Sequence, residues 1–290
     1  MAERIAVQLE RVLNGLPKAE ENAEAPGFPG RPAPLSRARG EMKVPVAVGM
    51  LHSEPSIPSA VARLAEAGVG RIVSLSLSPF DAAATTGAYA AAVNAAAAGC
   101  GLTVVEAAAY RTSDAYLECL TEAVELAMND EEIRELSSVV VFTAHSLPVA
   151  DVEADPSYVE QIREAAASVA QRAGLGAPGR DEALPGIEAF GGQGTARPWL
   201  LAFQSKGRRG GAWIGPDLDD VIDAAVSAGV GVVVVSPIGF AIDHMETLYD
   251  LDVCAADRAL SAGIEFARAA APNDAARMID ALVEAVTKVL

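Results

Sequence analysis

Cysteine is nearly absent from this chain. The three present, Cys100, Cys119 and Cys254, are far apart and form no CxxC pair. That argues against a disulfide framework or a cysteine-built zinc site, and it makes a reducing compartment the default. Basic residues are outnumbered, 22 Lys and Arg against 39 Asp and Glu, for a formal net charge of −17. Such a surface repels nucleic acid and anionic membranes; it serves mainly solubility and is compatible with handling cations. Long apolar runs are missing too. The longest, near 230–242, falls short of the ~20 residues that span a bilayer. The opening MAERIAVQLERVL interleaves charges with apolar residues, unlike a signal peptide. A cytoplasmic protein is expected, with no integral membrane segment and no nucleic-acid partner.

Familiar catalytic signatures are also lacking. Ser146 stands beside His145 in TAHSLP, but no GxSxG elbow surrounds it. No GxGxxG follows the first candidate strand and no GxxxxGK[ST] occurs, so nucleotide sites have little support.

What the sequence does hold is a 51% apolar chain of 290 residues, enough for one large domain or two of ordinary size. Ile5, Leu9, Val12, Leu13 and Leu16 recur at helical spacing and Pro17 closes that helix. Residues 17–43, rich in proline, glycine and charge, read as a flexible connection. Strands are then expected at 44–51, 71–77, 102–109, 138–143, 199–204, 230–236 and 264–268. Helices are expected near 57–67, 87–98, 113–128, 157–173, 217–228, 244–261 and 274–289. Runs such as SVVVF and GVVVV suit parallel strands buried on both faces. The alternation predicts an α/β fold of two Rossmann-like halves, with a site in the cleft at the carboxyl ends of their strands. The expected domains are 1–136 and 137–272, the second carrying the metal site, with the C-terminal helix 273–290 packing back on the first. The first half counts one strand fewer.

His52, His145 and His244 each follow an expected strand. For any one of them an ordinary hydrogen-bonded loop residue is the competing account. The segment PIGFAIDHMETLYDLD adds Asp243, Glu246, Asp250 and Asp252 just beyond a buried strand. On a helix Glu246 and Asp250 share a face, and the acidic row stops at Cys254. Like charges at that spacing repel, so such a row favours a cation. An acidic helix start stabilised by the helix dipole is the alternative. His145 and Glu246 end different strands of one half and can face a common site. An imidazole and a carboxylate suit a divalent ion such as Fe²⁺ or Zn²⁺, and two ligands leave positions open for exchange.

Three separated segments, VVFTAHSLP, LLAFQSKGRRGGAWIGPDLDDVI and SPIGFAIDHMETLYDLD, resemble the ferrochelatase family in order and spacing. The likeness runs on through GIEFARAAAPNDAARMIDALV and upstream through LHSEPSIPSAVARLAEAGVGRIVSLSLSPF. The resemblance implies two chelatase-type Rossmann-like domains and insertion of Fe²⁺ into a porphyrin in heme biosynthesis. The wording around LHSEP is closest to Gram-positive members, which favours coproporphyrin III over protoporphyrin IX. It assigns the metal-binding and catalytic roles to His145 and Glu246 and makes Asp250 part of the acidic row. It places Tyr89 at the porphyrin, with His52 near the site. Leu147, Ile238 and Phe240 would line the cleft walls. No organic cofactor is implied, Fe²⁺ is a substrate, and three scattered cysteines cannot hold the [2Fe–2S] cluster of some members. A heme acceptor or an iron donor protein is an implied partner. The family's opening strand and its Gly-Thr-Pro-like loop have no counterpart here, and neither do the porphyrin contacts they supply. A start placed too late, an inactive truncated form, or self-association along the exposed edge would each account for this. A non-catalytic tetrapyrrole- or metal-binding protein and a cobalt chelatase are the rival functions.

Overall fold

The computed structural model describes residues 1–15, 44–176, 197–207 and 210–290. The expected connection at 17–43 lies outside the described residues. In chain order the elements are α1 (Ala2–Leu13), α2 (Ile57–Glu66), β1 (Arg71–Ser74), α3 (Ala88–Gly99), β2 (Thr103–Glu106), α4 (Asp114–Met128), β3 (Ser138–His145), α5 (Val149–Ala154), α6 (Ser157–Arg172), β4 (Trp199–Gln204), α7 (Leu218–Ser227), β5 (Val232–Ser236), α8 (Met245–Leu248), α9 (Ala256–Ser261), β6 (Glu265–Arg268) and α10 (Ala276–Thr287). Single wide turns of π-helix occupy Ala83–Gly87 and Asp250–Ala255. Among the described residues no helix is long and apolar enough to cross a membrane.

The chain divides into two compact units. One comprises Met1–Leu75, Ala88–Ala108 and Asp274–Leu290; the other comprises Ser76–Gly87 and Ala109–Asn273. The sequence places the boundary at 136. In the structure α4 groups with the second unit, because it packs on α6, β5 and β6 and buries Tyr116, Leu117, Leu120 and Val124.

In the first unit β1 and β2 form a parallel pair, Arg71 opposite Thr103 through Ser74 opposite Glu106. α2 packs on α3, with Ile57, Val61, Ile72 and Ala97 as the buried nucleus. α1 packs on α10, burying Ile5 and Leu9 on one side and Met278, Ile279 and Leu282 on the other. The Ala108 amide donates to the Ala285 carbonyl at 3.1 Å. The strand expected at 44–51 does not form a ladder. Pro45 offers no amide, the Asn14 side chain takes both backbone groups of Val44 (2.8 and 3.1 Å), and the Met50 amide turns to the Pro55 carbonyl at 2.8 Å. Local bonds thus occupy both ends of the stretch.

The second unit is a four-stranded parallel sheet in the order β4-β3-β5-β6. Val139, Val141, Leu200, Ala202, Val233 and Val235 face α7, α9 and the wide turn at 250–255. The alternate residues, Val140 and Phe142 among them, are equally buried on the side of α4 and α6. β-branched residues fill both faces, so these strands show no polar alternation. Side chains mark the helix starts: Ser113 accepts from the Tyr116 amide at 3.3 Å, and Asp217 from the Asp219 amide at 3.1 Å.

Candidate metal and proton site

The site lies at the carboxyl end of the four-stranded sheet. β3 ends on His145, and β4 ends opposite it on Gln204. The chain after β5 turns sharply through Pro237-Ile238-Gly239-Phe240 and folds back on β3. The Gly239 amide donates to the Thr143 carbonyl at 3.0 Å, and a Cβ on Gly239 would come within 2.7 Å of Ala144. Only glycine allows this approach, which carries the following residues over the strand ends.

His244 then starts α8. Its Nδ1 accepts from the Glu246 amide at 3.2 Å, while Thr247 Oγ1 accepts from the His244 amide at 2.9 Å. This is a reciprocal cap with histidine in the place usually taken by serine or threonine. The Phe240 ring stands edge-on to the His244 imidazole, centroids 4.9 Å apart. The result is that Glu246 Oε1 comes to 3.3 Å from His145 Nε2.

His145 is oriented from its other side. Its Nδ1 lies 2.5 Å from the Ser146 carbonyl oxygen, a contact that requires the proton on Nδ1 and leaves Nε2 as the basic nitrogen in the neutral ring. Ser146 is fixed in turn: its amide donates to the Gln204 carbonyl (2.8 Å) and its hydroxyl to the Ile214 carbonyl (2.7 Å). Buried Tyr158 donates its phenol to the His145 carbonyl at 3.0 Å, and burial pushes that phenol's pKa far up, keeping it a donor. The Glu246 carboxylate bonded to His145 holds the imidazole pKa above its ordinary value, against the opposing effect of burial. The same bond holds the Glu246 carboxyl below the usual range, again against burial.

Asp250 belongs to this group, but its carboxylate accepts from the Ser205 hydroxyl at 2.5 Å. Gln204 Nε2 donates to the Glu246 carbonyl at 2.7 Å. The single helix expected over 244–261 is therefore three pieces, α8, a wide turn and α9. Asp243 and Asp252 are not free acids. Both are ion-paired to Arg268. Cys100, Cys119 and Cys254 form no disulfide, and Cys254 is exposed. Among the described residues no cluster of three or more His, Cys, Asp or Glu forms, so His145 and Glu246 stand as a two-residue donor set.

The remaining candidates are placed as follows. Ile238 is fully buried, so it has no surface to offer a ligand. Leu147 and Phe240 are nearly so, and Phe240 packs against His244 rather than opening to a ligand. In the other unit, Tyr89 is exposed at the start of α3 and His52 is exposed in the loop after Met50. His52 does not follow a ladder strand, because none forms at 44–51. Sequence reading missed Ser205, Tyr158 and the cap made by His244. For the first, FQSK at a buried strand's end was the available signal.

The ferrochelatase family model matches residues 33–290. A ferrochelatase of Acidobacterium capsulatum is 29% identical, aligning 97% of this chain with 88% of that protein. One from Thermus thermophilus is 30% identical over 97% of this chain and 81% of its own. A coproporphyrin III ferrochelatase of a Geobacillus species is 27% identical over 88% and 76%. Among solved structures, SirB from Bacillus subtilis with Fe³⁺ superposes with a TM-score of 0.57 at 12% identity, covering 85% of this chain and 83% of that one. That likeness shows the chelatase-type α/β fold. The chain belongs to the ferrochelatase family.

Proposed function

We propose that this chain inserts Fe²⁺ into a porphyrin in heme biosynthesis, with coproporphyrin III as the substrate, and that His145 and Glu246 perform the exchange of metal for protons. The observation that carries this is the 3.3 Å approach of Glu246 Oε1 to His145 Nε2, with Nδ1 committed to the Ser146 carbonyl. Family membership supports the reaction, and the relatives named coproporphyrin III ferrochelatases support the substrate.

The free porphyrin must lose two pyrrole protons as it gains Fe²⁺, and the ion must shed water. A neutral imidazole and a carboxylate are a ligand pair for that ion. When iron passes to the ring, both bases become vacant together and can receive the two protons. One goes to Nε2 of His145, the other to the carboxylate of Glu246, so charge and protons balance. The raised basicity of His145 favours its share of this transfer. Fe²⁺ is a substrate here, and no organic cofactor and no cluster takes part. The reading includes a cytoplasmic location, with Tyr89 and His52 as porphyrin contacts.

The test is loss of coproporphyrin III fluorescence on anaerobic addition of Fe²⁺, with protoporphyrin IX in parallel and Glu246→Ala as control. Saturable turnover that collapses in the variant supports the proposal. Tight porphyrin binding without turnover would move a non-catalytic tetrapyrrole-binding role ahead, and turnover with Co²⁺ alone would favour a cobalt chelatase.

A further inference from the structure

Glu246 must hold one position, yet it sits on a helix of four residues followed by a wide turn. So short a helix has no stability of its own, and its placement has to come from outside. Gln204 supplies one tie through the Glu246 carbonyl. The larger one comes from Arg268, the last residue of β6, at the edge of the sheet.

Its guanidinium uses all three nitrogens. Nε donates to Asp252 Oδ1 at 2.5 Å and Nη2 to Asp252 Oδ2 at 3.0 Å; Nη1 donates to Asp243 Oδ1 at 3.1 Å. Asp243 precedes Glu246 and Asp252 follows it, so one cation fastens both ends of the segment 243–252 to a strand. Asp243 passes the constraint inward. Its Oδ1 also accepts from the hydroxyl of buried Thr247 at 3.3 Å, the same oxygen that caps the His244 amide. From the opposite side Asn273 donates its side-chain amide to Asp243 Oδ2 at 2.7 Å and accepts from the Asp243 amide at 2.9 Å. Asn273 does so at φ +51, a left-handed conformation that asparagine tolerates better than most residues. The Arg268 side chain is only 16% exposed and Asp243 22%, so the bond between them is shielded from water and stronger than that of a surface pair, whereas Asp252, 36% exposed, takes the more solvated two.

The acidic residues of this segment thus do two different jobs. Glu246 and Asp250 meet His145 and Ser205; Asp243 and Asp252 meet Arg268. We propose that Arg268 is a positioning residue for metal insertion: through Asp243 and Asp252 it fixes the segment so that Glu246 stays within reach of His145. The kinetic consequence rests on the iron-insertion reading above, whereas the placement of Glu246 is tested without it.

The experiment compares Arg268→Ala, Arg268→Lys and Asp252→Asn with the unaltered chain and Glu246→Gln. The first readout is the ¹⁵N signal of the His145 imidazole in the metal-free protein. The second is the KM for Fe²⁺ measured against that for porphyrin. In Arg268→Ala the His145 signal should move toward its position in Glu246→Gln, and the KM for Fe²⁺ should rise about tenfold with the porphyrin KM unchanged, the scale expected when charge-assisted bonds to a shielded segment are lost. Arg268→Lys should recover part of both effects, and Asp252→Asn should show a smaller shift of the same sign. If Arg268→Ala proves unfolded, the two milder variants decide. Folded variants whose His145 signal and KM for Fe²⁺ match the unaltered chain overturn the proposal. If the unaltered chain inserts no metal but the signal still moves, the positioning role stands and the iron-insertion reading falls.

Discussion

In the four-stranded sheet, β4 and β5 are buried along their whole length and β3 from Val139 to Ala144. In the two-stranded sheet only Ile72 is buried, and no residue of β2 is. The larger sheet's apolar cluster on one face has fifteen buried residues; the cluster around the smaller sheet has four. A strand packed on both faces cannot slide or tilt without opening voids. Its terminal residue inherits that fixity, and His145 is such a residue. Tyr89 and His52 sit on exposed positions of the lighter unit. The proposed roles follow that difference in burial: ion and proton handling for His145 and Glu246, porphyrin contact for Tyr89 and His52.

The sharpest way to break this comparison is a matched pair of truncations. Phe142→Ala in β3 should cost about 3–5 kcal/mol in urea unfolding, and Val104→Ala in β2 roughly 1 kcal/mol or less. Equal losses would mean that the sheets do not differ as scaffolds. Next in size is the loss of function. Glu246→Ala and His145→Ala should each lower the rate of iron insertion by about a hundredfold or more, while Tyr89→Ala should raise the porphyrin KM only a few-fold, roughly 1 kcal/mol. A Tyr89 variant as inactive as Glu246→Ala would erase the proposed division of labour. Smaller again is Tyr158→Phe, which removes the 3.0 Å bond to the His145 carbonyl. It should destabilise the chain by about 1 kcal/mol, seen as a lower melting temperature.

The smallest effect concerns pH. Raised basicity of His145 stabilises the metal-free fold below the ordinary value of 6.5 and is lost as pH climbs through the folded value. Lowered Glu246 stabilises above its ordinary 4.5 and is lost as pH falls through its own folded value. The pair therefore contributes most between 4.5 and 6.5. Because both side chains are about a third exposed or more, the gain should stay below about 1 kcal/mol. A pH series of unfolding curves for the chain and for Glu246→Gln measures it, and identical curves would remove the pair from the stability balance.

The strands of the larger sheet are legible in the sequence: continuous runs such as SVVVF and GVVVV mark β3 and β5, the strand expected at 199–204 is β4, and the residues that follow β3 and β5 make His145 and Glu246 candidates for one site. What escaped has a common cause: bonds between residues far apart in sequence. Arg268 and Asp243 are neighbours only because β6 lies beside β5. Nothing local marks Asp243 and Asp252 as paired and Glu246 and Asp250 as the ones turned toward His145 and Ser205. The expected strand at 44–51 failed for the opposite reason. Its apolar pattern was right, but Asn14 and the Met50–Pro55 turn claimed the backbone at its two ends. The helix at 244–261 looked continuous because hydrophobic spacing alone does not reveal a widened turn.

That widened turn has a consequence for length. An α-helix advances about 3.6 residues per turn, so a row of residues spaced by four drifts steadily around the axis. Thr247, Leu251, Ala255 and Ala259 are spaced by four and all are buried. The turn at Asp250–Ala255 winds more slowly and takes back the drift, keeping one row on the core and the row of Glu246 and Asp250 together outside it. The segment is thus a phase corrector. Deleting a single residue from 250–255 would not shorten a loop; it would rotate one half of the segment against the other. Either the core row or the acidic row would then be lost, and the protein has no slack there to choose neither.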